Sequence, residues 1–201
     1  MNTTYHSTDK VLIILAKEPF IANTVTKLAD ALKITRQGLW KQLKKLKENN
    51  LIILESIGDK RTSTTTIKLN WHNSLIDKLL SVSLTKEALA HGRWRTNFKE
   101  LEGKASFLIL FGSILNNPKE AKDIDIIAVI DKKENFKVIE NIIMNLQKTL
   151  IKKIHLIDIT ENEFIQELKK PNKAYIDALK KGIILYGQDK FIKFIKELSN
   201  G

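Results

Sequence analysis

Two aspartates and a glycine–serine pair are the residues of this chain whose types and spacing could do chemistry. Residues 107–130 read FLILFGSILNNPKEAKDIDIIAVI, so Gly112-Ser113 ends one apolar run and a second apolar run carries Asp123 and Asp125. Side chains two residues apart leave a strand on the same face, so we expect the two carboxylates to lie side by side. Proteins usually hold Mg²⁺ with one or two carboxylates and substrate phosphates. A Gly-Ser turn after a strand lets the backbone approach a phosphate and offers N–H and hydroxyl donors. The segment therefore predicts a site for Mg²⁺ and a nucleotide.

The order of a hydrophobic residue, Gly-Ser, a short polar loop (residues 114–122) and Asp-hydrophobic-Asp resembles the signature of the DNA polymerase beta-type nucleotidyltransferases, above all their minimal members. The resemblance implies that Gly112 and Ser113 grip the triphosphate of ATP or another nucleoside triphosphate. It also implies that Asp123 and Asp125 hold Mg²⁺ and are catalytic in the transfer of a nucleotidyl group to a hydroxyl.

The third carboxylate of that family has no clear counterpart. The matching strand is KIHLIDI, residues 153–159, where His155 stands at the position expected for the aspartate. Asp158 is the one carboxylate on this strand, and alternation places it on the opposite face from His155. In a two-metal mechanism the missing group helps to hold the ion that activates the attacking hydroxyl. We therefore expect its loss to impair transfer more than nucleotide binding. Ile114-Leu115 also stand where many minimal members carry Arg and Gly.

The first seventy residues have the pattern of three helices and a hairpin. Apolar spacing and capping residues predict helices over 7–17, 25–32 and 36–47, and apolar runs predict strands over 51–55 and 62–69. In the third helix, Leu39, Leu43 and Leu46 recur at i, i+4 and i+7, which predicts a stripe facing the core.

This order of elements resembles a winged helix-turn-helix domain of the bacterial and archaeal MarR and ArsR regulator types. The resemblance implies that the third helix enters the major groove of double-stranded DNA while the hairpin touches the backbone or minor groove. Residues 1–70 carry twelve lysines and arginines against six acidic residues, which favours an anionic partner. The residues expected to contact DNA are Arg36, Gln37, Trp40, Lys41, Lys44, Lys60 and Arg61. The alternatives are a solvated basic face, a protein-interaction module, and a Trp40 packed against a neighbour.

Composition limits the function classes. The 201 residues have a net charge of +11 and no cysteine, which excludes disulfides and thiolate metal sites and favours nucleic acid as a partner. The four histidines are scattered without metal-ligand spacing, so zinc is not expected. No apolar run approaches the roughly 18 residues of a membrane span, and the N-terminus lacks the pattern of a signal peptide. We expect a cytoplasmic protein.

Residues 71–103 have helical spacing and no Gly/Ser/Pro linker, which predicts linking helices that form a homodimer interface. The predicted fold class is α+β or α/β with two domains. Residues 1–70 are the winged helix, 71–103 the linking helices, and 104–201 a nucleotidyltransferase-like mixed sheet flanked by helices.

Three functions remain open from the sequence. The first is a DNA-binding regulator whose second domain binds nucleotide and Mg²⁺ and transfers or only senses the nucleotide. The second is a pure DNA-binding regulator with a degenerate transferase fold. The third is an antitoxin-like transferase that modifies a protein partner.

Overall fold

The computed structural model describes residues 7–58, 64–170 and 173–200. The chain forms two compact units, Met1–Ser83 with Ile195–Gly201, and Leu84–Phe194. The sequence-based boundaries after residues 70 and 103 stay a prediction. None of the helices within the described ranges is both long and apolar enough to cross a membrane.

The first unit contains the three helices and the two longer strands that the N-terminal pattern predicts, and also a two-residue strand at Asn23–Thr24 that it does not predict. In chain order they are α1 (Ser7–Lys17), β1 (Asn23–Thr24), α2 (Val25–Leu32), α3 (Arg36–Glu48), β2 (Ile52–Ile57) and β3 (Thr64–Leu69). The strands form an antiparallel sheet in the order β1-β3-β2.

Threonine caps begin two of these helices. The hydroxyl of Thr24 accepts a hydrogen bond of 3.2 Å from the backbone N–H of Lys27, and that of Thr35 accepts one of 3.1 Å from Gly38. Each cap satisfies a backbone donor that the first turn of a helix leaves free. The caps therefore fix where α2 and α3 begin, and with them the register of the exposed face of α3.

The second unit follows a long helix that begins in the first. The elements are α4 (Leu75–Ala90), α5 (Gly92–Asn97), β4 (Phe107–Phe111), α6 (Ser113–Asn116), β5 (Asp123–Ile130), α7 (Asn135–Gln147), β6 (Lys153–Thr160), α8 (Glu161–Lys169), α9 (Lys173–Lys181), β7 (Ile183–Tyr186) and α10 (Gln188–Asn200). The last helix ends in the first unit. The sequence predicts a loop over residues 114–122, and this is wrong at its start: α6 forms there because the Ile114 side chain is buried.

The four strands of the second unit form a mixed sheet in the order β6-β5-β4-β7, in which β5 and β6 are parallel and the other pairs antiparallel. This confirms the predicted mixed sheet flanked by helices.

Helices cover both faces of β5 along most of its length. On one face Ile124 and Ile126 pack in a buried cluster with Ile139 and Ile143 of α7. The other face carries Phe107 of β4, whose ring centroid lies 5.4 Å from that of Phe191. Ile124 and residues Ile126 to Ile130 are buried, whereas Asp123 and Asp125 at the beginning of β5 are partly exposed. A strand buried on both faces cannot slip in register without moving polar groups into the core, so its exposed beginning is held in a fixed position.

Candidate functional site

Asp123 and Asp125 lie at the exposed beginning of β5, and their side chains share one face. Their side chains are 40% and 27% exposed, and each approaches the same ring, that of His155 on the neighbouring strand. The prediction that the two carboxylates leave the strand on the same face is therefore confirmed. The apolar remainder of β5 anchors them, because every residue from Ile126 onward is buried.

Gly112 closes the site on the side of β4. Phe111 is paired with Asp125 across the sheet, so Gly112 follows directly beyond that pair. Its φ of 83° is one that residues with a Cβ rarely adopt, and a Cβ built there would lie 2.2 Å from Asp125 Oδ2. Both constraints demand glycine. Ser113 is exposed and begins α6. The structure thus puts Gly112 beside Asp125, and Ser113 is the next residue along the chain.

His155 occupies the third position of the site. It is paired with Asp125 in the parallel β5–β6 ladder. Its Nδ1 lies 3.3 Å from Asp125 Oδ1, and its Nε2 lies 3.9 Å from Asp123 Oδ1. Asp158 is paired with Ala128, and alternation puts it on the other face of β6. The expectation that a histidine stands beside the aspartates, with Asp158 facing away, is confirmed.

Lys152 ties the loop before β5 to the start of β6, a contact that sequence reasoning missed. Its Nζ donates to the backbone carbonyl oxygens of Ala121 and, at 3.3 Å, of Lys119. The loop and the lysine are about thirty residues apart in sequence, and a lysine in a basic chain gives no signal of such a contact. The bond fixes the segment that leads into Asp123.

The donor set of this site fits Mg²⁺. Two carboxylates on one rigid strand are what Mg²⁺ takes from a protein when phosphates and water supply its other ligands. In the described ranges, no three side chains of His, Cys, Asp or Glu form a ready-made metal site. Asp123 and Asp125 would therefore hold the ion together with the phosphates of a nucleotide.

Five of the seven residues predicted to contact DNA lie on the exposed face of α3. Leu39, Leu43 and Leu46 are buried, as their spacing predicts, so the opposite face of the helix is open to solvent. That face carries Arg36, Gln37, Trp40, Lys41 and Lys44, all exposed. The other two predicted contacts, Lys60 and Arg61, lie outside the described residues.

Trp40 does not pack into the core of the first unit, since it is 42% exposed. It borders a groove of about 370 Å³ with Lys41, Lys44, Lys47 and Leu54 of β2. Three ammonium groups beside an indole make a surface suited to an anionic partner.

Comparison with known proteins supports the nucleotidyltransferase part of the sequence prediction. Residues 96–191 match the family model described as "Polymerase beta, Nucleotidyltransferase". No curated protein and no solved structure matches the chain. The matched range contains the Gly112-Ser113 turn, the two aspartates and His155, and it does not extend to α3. Residues 96–191 are thus similar to polymerase beta-type nucleotidyltransferase domains, while a winged helix-turn-helix in the first unit stays a prediction.

Proposed function

We propose that the second unit binds a nucleoside triphosphate with Mg²⁺ and transfers its nucleotidyl group to a hydroxyl of an acceptor. The acceptor oxygen forms a bond to the α-phosphorus as the bond to the β-phosphate breaks, and pyrophosphate and a proton are released. The observation that carries this proposal is the contact of the Gly112 backbone with the Asp125 carboxylate. It puts a phosphate-binding turn and a metal-binding oxygen side by side, as transfer from a metal-bound triphosphate requires. The family match over residues 96–191 supports the same reaction class.

Under this proposal, the Gly-Ser turn binds phosphates and the two aspartates bind the metal ion. The backbone N–H groups and hydroxyl of Gly112-Ser113 would bind the β- and γ-phosphates, because successive N–H groups in a turn form a concave anion site. Asp123 and Asp125 would hold Mg²⁺ through their carboxylate oxygens. When bound, the ion would neutralise charge that develops on the α-phosphate during transfer. The rigid strand β5 keeps both aspartates in place, so positioning of the α-phosphate is the main contribution of the protein.

His155 stands where the third carboxylate, which helps to activate the attacking hydroxyl, is expected. We therefore expect nucleotide binding to be robust and transfer to be slow. If the chain is instead a pure DNA-binding regulator with a degenerate transferase fold, we expect no Mg²⁺-dependent binding of nucleotide. If it is an antitoxin-like transferase, we expect it to transfer a nucleotidyl group to a protein.

The test is calorimetric titration with a non-hydrolysable ATP analogue, with and without Mg²⁺. We expect binding that requires Mg²⁺ and is lost in Asp125→Asn. The matched control is Asp158→Asn, a neighbouring carboxylate on the opposite face of the sheet, which should bind as the parent does. Absence of binding at millimolar nucleotide, or equal binding by the Asp125→Asn variant, would overturn the proposal. Incubation with α-³²P-labelled ATP and candidate acceptors then measures transfer.

Binding of double-stranded DNA by α3 is the second candidate function. It is favoured by the exposed basic face that Arg36, Lys41 and Lys44 form, opposite a buried leucine stripe. Under this proposal Arg36, Gln37 and Lys41 contact base edges, and Lys44 contacts phosphate. A protein that regulates transcription in this way would act in the cytoplasm, where bacterial and archaeal DNA lies.

A homodimer would match the two-fold symmetry of many DNA sites. α4 offers a surface for it: Leu75, Val82 and Leu89 follow each other at intervals of seven residues and are 48%, 53% and 54% exposed. Apolar side chains at this spacing lie on one stripe of a helix, and such a stripe pairs with its own copy in coiled coils. We propose that α4 pairs with α4 of a second copy.

A further inference from the structure

The first unit contains a cavity of about 510 Å³ that neither nucleotide transfer nor DNA binding uses. It is lined by the turn between α1 and β1, by the β2–β3 ladder, and by Trp71, which follows β3. Pockets for small molecules usually measure about 300–1,000 Å³ and have mostly apolar and aromatic walls. The cavity therefore has the volume of a small-molecule site.

The walls of this cavity carry apolar side chains that the fold leaves in water. Phe20 and Ile21 of the turn are 50% and 39% exposed, and Ile53 and Ile57 of β2 are 39% and 58% exposed. Ile53 and Ile57 are four residues apart in the strand, so alternation puts them on the same face. Exposed apolar side chains that line one concave surface indicate a binding site, whereas scattered single ones do not.

The Trp71 ring gives the cavity an aromatic wall, and the last helix restrains it. Lys196 Nζ of α10 lies 6.0 Å from the centroid of the ring, and the same ammonium group pairs with Asp77 of α4 at 3.0 Å. A cation at this distance is attracted to the face of an indole ring. An aromatic ligand would gain a stacked or edge-to-face contact with the restrained ring.

The carboxylate and the ammonium group that line the cavity already have partners. Glu18 is buried and pairs with Lys27 at 2.8 Å, and Lys68 pairs with Glu55 at 2.7 Å. His72, the other ionisable side chain of the lining, is exposed to water. A charged ligand would therefore lose hydration without gaining an opposite charge, so the cavity favours an uncharged one.

The uncharged polar groups of the lining are also occupied or covered. The Thr66 hydroxyl donates to the carbonyl oxygen of Glu55 at 3.2 Å. The Ser199 hydroxyl donates to the carbonyl oxygen of Ile195 at 2.8 Å. Asn23 Oδ1 has no hydrogen-bond donor in the part of the chain that the structure describes, but this atom is buried and is not offered to a ligand. The cavity thus presents apolar and aromatic contacts.

We propose that this cavity binds a small, uncharged aromatic compound. Leu54 adjoins Ile53 in β2 and borders the groove beside Trp40. The ligand would therefore contact the strand that also borders the proposed DNA surface. The inference concerns the first unit alone and does not depend on nucleotide binding by the second.

The test is a titration of the whole ¹⁵N-labelled protein with 2-naphthol, followed by ¹H–¹⁵N correlation NMR. 2-Naphthol is uncharged near neutral pH, and 2-naphthoate is a matched probe with the same rings and a carboxylate. We expect saturable shifts at the Trp71 indole N–H and at residues 20–22 and 53–57. The affinity for 2-naphthol should exceed that for 2-naphthoate by ~10-fold or more. Absence of a saturable shift, shifts confined to other surfaces, or equal affinity for the two probes would overturn the inference.

Two variants and a control locate the binding. Ile53→Glu puts a carboxylate on the cavity face opposite Lys68 and should abolish binding of 2-naphthol. Ser56→Glu adds the same charge to the other face of β2, where the side chain is exposed, and should bind as the parent does.

Phe20→Ala keeps the inference open to refutation if Ile53→Glu is poorly folded. It removes a half-exposed ring from a turn outside the helices and strands, and should lower the affinity for 2-naphthol by ~10-fold. Unchanged affinity in Phe20→Ala or in a folded Ile53→Glu would count against the cavity. A dimeric parent that becomes monomeric in Ile53→Glu would show that a second copy covers the cavity, and would also overturn the inference.

Discussion

The backbone of Gly112 lies so close to the carboxylate of Asp125 that no side chain fits between them. A Cβ at residue 112 would stand 2.2 Å from Asp125 Oδ2 and 3.1 Å from its Cγ. The turn and the carboxylate are contributed by neighbouring antiparallel strands, β4 and β5, at the pair Phe111–Asp125. The position of the phosphate-binding turn and the orientation of a metal-binding oxygen are therefore one structural feature.

Gly112→Ala tests this relationship. The methyl group must displace the Asp125 carboxylate or the turn, and it also places alanine at a φ of 83°. We expect Mg²⁺-dependent affinity for the ATP analogue to fall by ~10-fold or more, because a cost of about 1.4 kcal/mol corresponds to one factor of ten.

The matched control for that variant is Gly103→Ala. Gly103 also has a positive φ, 75°, but a Cβ there would meet no atom within 4 Å. It carries the backbone strain without the collision. Equal nucleotide affinity of the Gly112→Ala and Gly103→Ala variants would contradict the importance of the contact with Asp125.

Lys152→Met should weaken nucleotide binding through the loop that leads into Asp123. The substitution removes the bonds to the carbonyl oxygens of Ala121 and Lys119 and leaves the apolar stem of the side chain. We expect faster amide hydrogen exchange over residues 117–122 and a several-fold loss of nucleotide affinity. Lys148→Met removes an equal charge just after α7, where the ammonium donates a hydrogen bond to the exposed Asn145 amide oxygen. A matching loss of affinity in both variants would point to general charge rather than to the loop.

The part of this site that the sequence predicts is the placement of side chains on strands β5 and β6. Asp123 and Asp125 alternate with Ile124 and Ile126, so periodicity alone puts the carboxylates on one face. The same rule separates His155 from Asp158. The contact between Gly112 and Asp125 is different, because it depends on the pairing of β4 with β5, which no local pattern specifies. The Lys152 bonds and the short helix α6 likewise arise from tertiary packing: Ile114 is buried and draws its segment into a helical turn.

The capping box of α8 predicts a pH-dependent stability. Glu163 accepts hydrogen bonds from the hydroxyl of Thr160, at 2.7 Å, and from its backbone N–H, at 2.9 Å. These bonds, first the one from the hydroxyl, hold the pKa of the Glu163 carboxyl below its ordinary value of 4.5. A carboxyl with a lowered pKa stabilises the fold above its unfolded pKa, and the contribution is lost as the pH falls through the folded pKa.

Thermal unfolding of Glu163→Gln checks this dependence. The parent should have the higher Tm at pH 7, and the two Tm values should converge as the pH falls below 4.5. Glu161→Gln removes a charge from the same first turn outside the capping box and serves as the control. A Tm difference between parent and Glu163→Gln that stays constant from pH 7 to about pH 3 would show that the carboxylate form is not what stabilises the cap.

The exposed stripe of α4 predicts the association state. Val82→Lys places a charge at its centre and should convert a dimer to a monomer in light scattering after size exclusion, because burying an unpaired charge is costly. Met144→Lys makes a comparable change at a side chain of α7 that is 64% exposed, and should leave the mass unchanged. A monomeric parent, or a dimer in which Val82→Lys has no effect, would rule out α4 as the interface.

The basic face of α3 predicts how DNA affinity depends on salt. A binding site is first selected from a random pool of double-stranded DNA, and affinity is then measured by fluorescence anisotropy over a range of salt concentrations. Lys44→Ala should lower the slope of log affinity against log salt by about 1, as the loss of one phosphate contact does. The double variant Arg36→Ala/Lys41→Ala should instead lose preference for the selected site, since those side chains are assigned to base edges. Lys78→Ala removes an exposed charge from α4 and should behave as the parent.

If the double variant keeps the full preference of the parent, another surface reads the DNA. If the parent shows no affinity that falls with salt, the proposal of DNA binding is wrong, and a solvated basic face and a protein-interaction module are the alternatives that are left.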